Sequence, residues 1–374
     1  MQRRSFIAAL VYGTGVFVAP VHNLFASGGA ALVYSAGSQR DNSHSVAMID
    51  ADSGNVIECS VSHRCHSGVV IPLQQQVVFI SRRPGSEMRV MDRATGNRLQ
   101  VVNAAPNRHF FGHGCLSRCG TKLYCAENAF TESESSSQGV IGIYDVTQQY
   151  RRIGEYSCQG VGPHQIERLP DSDILVIAVG GILTHPSRGR EKLNLDAMQS
   201  AIHYMDANSG NIVLKLPSPY QQLSLRHFSV NKNHQLVVTG QYQGAGNALL
   251  ELVFYHHYQG ATSSDQLQAF VQDESGWLSL RQYIASVAID GSGAYALTTG
   301  PRGDAIDLWD ITRQQWLKRI TLRDVAGVVW DNHKNSFVVS NGLGELYRVQ
   351  VEPEVTIDFI ARDKSLRWDN HLFS

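Results

Sequence analysis

The amino-acid sequence predicts an all-β fold: a seven-bladed β-propeller of four-stranded antiparallel blades, closed by a C-terminal strand that completes the first blade. Three observations carry this expectation. One turn motif recurs along the chain, runs of β-forming residues accompany its copies, and no stretch holds a sustained helical period. The motif is clearest in Met48-Ile49-Asp50-Ala51-Asp52-Ser53-Gly54-Asn55, Val90-Met91-Asp92-Arg93-Ala94-Thr95-Gly96-Asn97 and Tyr204-Met205-Asp206-Ala207-Asn208-Ser209-Gly210-Asn211. All three read Asp-x-x-(Ser/Thr)-Gly-Asn. The glycine supplies a positive φ, while the Asp and hydroxyl side chains accept backbone N–H groups.

The first unit starts at Ala31 with three strands and lacks an innermost one. The second places Val77–Ile80 ahead of the Asp92 turn. The third ends in a degenerate copy, Ile143-Tyr144-Asp145-Val146-Thr147, and the fourth places Leu175–Val179 ahead of Asp206. The fifth holds Leu236–Thr239, with room for a further copy near Phe254. The sixth carries Leu308-Trp309-Asp310-Ile311-Thr312, and the seventh has Phe337–Ser340 and ends around Leu346–Val351. Units of about 50 residues with four strands each suit a propeller blade. Leu366–Ser374 is then left over, and adding it as the missing inner strand of the first unit closes the ring and removes its open edges. One propeller domain over 31–374 accounts for a chain of 374 residues, which is otherwise long for a single domain.

Lys and Arg total 32 against 33 Asp and Glu, a formal charge of −1. That balance supplies no field for a phosphate backbone, so nucleic acid is excluded as a partner. A hydrophobic content of 43% with only 17% charged residues describes a folded chain.

Residues 1–26 read as a twin-arginine export signal. Arg3-Arg4-Ser5-Phe6 precedes an apolar stretch from Ile7 to Ala19, then Pro20 and small residues around Ala26. The stretch is too short to span a bilayer, and the paired arginines mark the pathway that exports folded proteins. The mature chain is expected in the periplasm without a membrane span. Cysteines 59, 65, 115, 119, 125 and 158 suit that oxidising compartment. Cys115 and Cys125 flank a turn at Ser117 to Lys122 and could bridge a hairpin, although connectivity is not readable from sequence.

Aligning the units on their inner hairpins places His66, His113, His164 and His227 at matching positions, and the C-terminal strand adds His371. Five consecutive blades are then expected to start their innermost strand with a histidine, whereas the sixth and seventh offer roughly Ser286 and Gly327. Inner strands surround the channel, so the five imidazoles are expected to converge on the axis. Neutral imidazole is the commonest ligand for transition metals, and iron or copper is the expected cofactor. In WD-type repeats a Gly-His pair instead bonds the turn aspartate for stability, and Gly112-His113 matches that pair.

Loops between second and third strands open at the same end as the histidines. They and their neighbours contribute Arg82, Arg83, His109, Glu127, His185, Arg190, Asn194 and Arg226 as candidate ligand-binding residues, the arginines suiting a small anion or an anionic metal chelate. Glu127 is the carboxylate best placed as a ligand, hydrogen-bond acceptor or base, with a purely structural role as the alternative.

The turn motifs resemble those of WD-repeat and YVTN-type propellers. More narrowly, Arg82-Arg83-Pro84-Gly85, Arg108-His109-Phe110-Phe111-Gly112-His113-Gly114, Gly162-Pro163-His164, the segment Gly180 to Pro186 through Lys192 to Asp196, and Trp368-Asp369-Asn370-His371 resemble a bacterial family of exported propellers whose function is unknown. The resemblance covers essentially the whole mature chain. It implies an association with periplasmic iron-uptake proteins of the imelysin type and brings no established reaction.

No Gly-x-Ser-x-Gly elbow, His-Glu-x-x-His helix, phosphate-binding glycine loop or Cys-x-x-Cys-His attachment occurs, so covalent haem c is not expected. The sequence favours binding of a transition metal or metal complex in iron handling. A propeller enzyme using the same funnel, either a metal-dependent oxidoreductase or a lactonase or lyase, is the alternative. A scaffold docking another protein is a third.

Overall fold

The computed structural model describes residues 32–374 apart from 245 and 247; the export signal read over 1–26 lies outside them. Among the described residues, seven four-stranded antiparallel sheets form a seven-bladed propeller. Blade 1 joins Leu32–Gln39, His44–Asp50 and Val56–Val61 to the C-terminal Leu366–Phe373, which is its innermost strand. The expected closure is what the structure shows. Blades 2 to 7 follow in chain order, their inner strands being Cys65–Ile71, Arg108–Leu116, Pro163–Arg168, Leu223–Val230, Ser286–Ile289 and Val325–Asp331. The seventh blade runs further than its sequence signal, ending with an outer strand Thr356–Arg362 that carries no turn motif.

Alternating side chains give each blade two apolar faces, and neighbouring blades pack them together. Tyr34, Met48 and Phe79 fill the space between blades 1 and 2, Val78, Phe110 and Leu123 that between blades 2 and 3, and Leu297, Val325 and Phe337 that between blades 6 and 7. Burying such side chains contributes about 1.5–3 kcal/mol each. No helix among the described residues is long and apolar enough to cross a membrane.

The recurrent turns work as their sequence implies. Asp50 accepts the N–H groups of Asp52 and Ser53 and the Ser53 hydroxyl, and Asp92 and Asp206 accept the corresponding groups around Thr95 and Ser209. The aspartates are thus satisfied within their own turns and need no histidine.

All six cysteines are free thiols. Cys115 packs with Phe111, Tyr124 and Ile166 against blade 4, while Cys125 packs with Val78 and Phe110 against blade 2. They occupy opposite faces of one sheet, which explains why the hairpin they flank is not bridged. Cys119 alone is exposed, and the Ser117 and Thr121 hydroxyls beside its sulfur lower its pKa to about 7. Burial pushes the thiols of Cys65 and Cys158 up to about 12. Brief alkylation at about pH 7.5 should therefore label Cys119 before the buried thiols. Peptide mapping that found Cys65 or Cys158 labelled ahead of Cys119 would contradict these environments.

Candidate metal centre

Each histidine of the predicted ring sits where the ladder of its inner strand is interrupted. The pairing shifts register between Cys65 and Ser67, between Phe110 and Gly114, between Pro163 and Ile166, between Leu225 and His227, and opposite Ser35 and Gly37 in blade 1. A bulge takes a side chain out of the strict alternation and re-aims it. Here the five re-aimed imidazoles come together at the axis. The strands of blades 3 and 5 and the closing strand begin upstream of their histidines, at Arg108, Leu223 and Leu366, so the histidine marks the bulge rather than the strand start.

The rings are packed against one another. His371 lies with its ring centroid 4.4 Å from His66, 4.7 Å from His113 and 4.4 Å from His227, and His164 is 4.7 Å from His227 and 5.1 Å from His113. All five are buried, none more than 8% exposed. Two triplets, His66–His113–His371 and His113–His164–His227, each offer ligand nitrogens within 4.8 Å of one another. Metal–imidazole bonds of about 2.0–2.1 Å need these nitrogens to close on an ion by only a small amount. Because the triplets share His113, one ion near the common point is the simplest occupancy.

The nitrogens are available. His66 Nε2, His113 Nε2, His164 Nδ1 and His371 Nε2 are buried without a hydrogen-bond partner, an arrangement that costs about 1–3 kcal/mol per group unless something binds there. Asp369 fixes one tautomer: its carboxylate accepts the His66 Nδ1–H at 3.1 Å and leaves Nε2 as the free lone pair. Gln165 Oε1 stands 3.3 Å from His227 Nδ1 and orients that ring in the same way. Such outer partners hold ligating imidazoles in orientation and raise their basicity. Burial keeps the ring neutral. It lowers the pKa of His66 to about 4, against an opposing pull from Asp369, and lowers those of His113, His164, His227 and His371 too, with the neighbouring histidines and arginines adding to the effect.

Glycines keep the centre open to its own side chains. Gly112 has φ of 99° and lies so close to His66 that a Cβ there would strike the imidazole. Gly112-His113 is therefore a packing device of the ring and not a bond to a turn aspartate. At Gly327 of blade 7 a Cβ would strike the His371 backbone and Ser340, which explains why no side chain enters from that blade.

Several candidate ligand-binding residues gather over the ring. Asp369 accepts the Arg64 Nε–H at 2.7 Å and lies 3.8 Å from Arg82. Arg226 is buried, with a hydrogen bond to Ser224 Oγ, and Arg83 stacks over Phe111 at 5.7 Å. Among the described residues neither has a carboxylate within ion-pair distance. Burial, reinforced by Arg82 and Arg190, lowers the Arg226 pKa to about 10, and burial beside Arg226, Arg190 and Arg82 lowers that of Arg83. His109, also buried, leaves both ring nitrogens without a partner, with the Arg83 charge acting on it. The mouth thus carries unbalanced buried positive charge, a setting that favours an oxyanion.

Other candidates are committed elsewhere. Both nitrogens of His185 are bonded, to Ser187 Oγ and the Thr131 carbonyl, and the Asn194 amide ties Leu183 to Gly181 within the long loop. Glu127 accepts Tyr144 Oη–H at 2.6 Å and an Arg152 N–H at 2.9 Å, and Gly142 is the glycine that makes room for its carboxylate. Its environment is that of a structural ion pair. Replacing Arg152 by Ala should destabilise the fold by about 3 kcal/mol through the uncompensated Glu127, and adding Glu127→Gln should recover part of the loss. Urea denaturation showing no change in R152A would contradict this.

Sequence reasoning missed Asp369, Gln165 and Glu167. Asp369 was legible as the acidic residue two positions before His371; the others had no signal before the bulges brought blades 4 and 5 together. Glu167 lines the channel below the ring, its pKa pushed up to about 7 by burial, with the Gln165 amide donating to it.

No curated protein matches the chain. Among solved structures it is similar to hydrazine synthase of Kuenenia stuttgartiensis, with a TM-score of 0.60 and 15% identity over 87% of this chain and 95% of that one. At that identity the likeness shows the propeller fold alone. Residues 59–374, which contain all five histidines of the ring, match the family described as "Protein of unknown function (DUF1513)", and the chain belongs to that family.

Proposed function

We propose that this propeller binds one transition metal ion, iron or copper, on the axial histidines, with an anionic ligand of the metal received by the arginine-rich mouth. The observation that carries the reading is the set of buried imidazole nitrogens without partners on His66, His113, His164 and His371, with His66 oriented by Asp369 and the adjoining His227 by Gln165. Ligands of this type suit copper, iron, nickel and zinc. When bound, the metal would act as a Lewis acid or an electron carrier; the chain's own part is to hold His66, His113, His164, His227 and His371 neutral and oriented. Arg83 and Arg226, with Arg82, Arg190 and His109 beside them, would pair with carboxylates of a chelate.

The setting we propose is the periplasm, reached through the twin-arginine signal, and the role is iron acquisition beside imelysin-type uptake proteins. Binding or transfer fits better than turnover because Glu127, the carboxylate first considered as a base, is engaged by Tyr144 and Arg152. Equilibrium dialysis of the apoprotein against ferric citrate, cupric chloride and sodium citrate tests the reading. One metal per chain, held more tightly with citrate present and less so in R83A and R226A, is the expected result. Retention of no metal under any condition would overturn it.

A further inference from the structure

The ring has two sides of opposite character. Above it lie Arg64 and Arg82, paired with Asp369, and Arg83, Arg190, Lys192 and Arg226, which repel neighbouring cations and, among the described residues, have no carboxylate within ion-pair distance. Below it, a cavity of about 310 Å³ ends on His113 and His371 and is bounded by the downstream halves of the inner strands. Among the described residues, no Lys or Arg lines this lower channel. Its polar walls include Ser67, Ser229 and Ser286, and among the described residues Glu167 is its one acidic side chain. Glu167 also stands one side chain from the ring: Gln165 Nε2–H donates to Glu167 Oε1 at 2.5 Å, and the same amide's oxygen faces His227 Nδ1 at 3.3 Å.

An incoming cation meets repulsion at the mouth and a carboxylate in the channel. We infer that the metal ion enters and leaves the ring through the lower channel, with Glu167 as the group that first holds it. The inference rests on the ring reading and adds a direction: cation from one face, anion from the other. Charge in a narrow cleft with low-dielectric walls changes association rates by about 10–1000-fold while touching affinity less.

Rapid mixing of the full-length apoprotein with cobaltous chloride at about pH 8, above the value of about 7 for Glu167 so that its carboxylate is ionised, free of chelating anions and followed by d–d absorbance, tests it. Glu167→Gln keeps the shape and removes the charge; the association rate should fall about tenfold with nearly unchanged equilibrium affinity. Glu167→Lys, checked for folding by near-ultraviolet circular dichroism, should slow loading further. Wild-type loading rates in both variants, together with faster loading in Arg190→Glu, would place access at the mouth and overturn the inference while leaving the ring reading intact. No cobalt uptake by the wild type would overturn both.

Discussion

Alanine at His113, His164 and His227 together is expected to abolish metal retention while the propeller stays folded. The triple change removes three of the five imidazoles and dismantles both triplets, since each contains His113. The two histidines left, His66 and His371, fall short of the three or four protein ligands that a tightly held ion needs. The effect is visible as stability. A metal present at a thousand times its dissociation constant raises folding free energy by about 4 kcal/mol in the wild type, and that increment should vanish in the variant. The apoprotein should suffer less than a triple core deletion would suggest, because His113 Nε2 and His164 Nδ1 are already buried without partners and their removal relieves two unsatisfied groups. Paired thermal melts with and without metal read both quantities. A variant that keeps stoichiometric metal would contradict the assignment.

Asp369→Ala should destabilise the fold more than any other single change at the axis. The carboxylate is buried, accepts from His66 and Arg64, lies beside Arg82, and belongs to the strand that closes the ring. Removing it leaves the imidazole N–H and the guanidinium groups without their counter-charge, at a cost of about 3–5 kcal/mol. Asp369→Asn keeps the shape and weakens the hold on the His66 tautomer, so metal affinity should drop about 10–100-fold. Urea denaturation of D369A and metal titration of D369N check the two effects, and wild-type values in either would show that Asp369 does not organise the ring.

The pH dependence separates the two kinds of group. His66, Arg82 and Arg64 hold the Asp369 pKa well below the usual carboxylate range despite its burial. Its contribution is present above the unfolded value of about 3.9 and is lost as pH falls below it. The histidines act in another window. Their folded pKa values lie below the unfolded value of about 6.5, so between there and about pH 4, where His66 titrates, the unfolded chain binds more protons and stability falls with pH. The apoprotein should therefore lose stability from about pH 6.5 downward, and the triple-alanine variant should show a shallower slope over that window.

The fold was legible because its devices are local. An Asp-x-x-Ser-Gly-Asn turn satisfies itself within six residues, so Asp50, Asp92 and Asp206 announced their hairpins, and the surplus strand Leu366–Phe373 announced the closure. The set of ring residues was legible from repeat register. What the sequence could not show is the cause of the convergence: bulges are pairing events between strands, and nothing local to His227 or His371 tells that the ladder slips there. The mouth was half legible. Arg83 and Arg226 gathered as expected, but whether Glu127 or His185 is free depends on which side chain faces it from another strand or loop, Arg152 in one case and Ser187 with the Thr131 carbonyl in the other. The thiols of Cys115 and Cys125 show the same limit, since facing opposite sides of one sheet is a matter of register.

The most direct test is anomalous diffraction from crystals of the full chain loaded with iron or copper, recorded at the metal's absorption edge. One peak on the propeller axis, about 2.0–2.1 Å from Nε2 of His66, His113 and His371 or shared with His164 and His227, is the result expected here. A peak elsewhere, or an axis without one in metal-saturated crystals, would contradict the histidine ring as a metal centre.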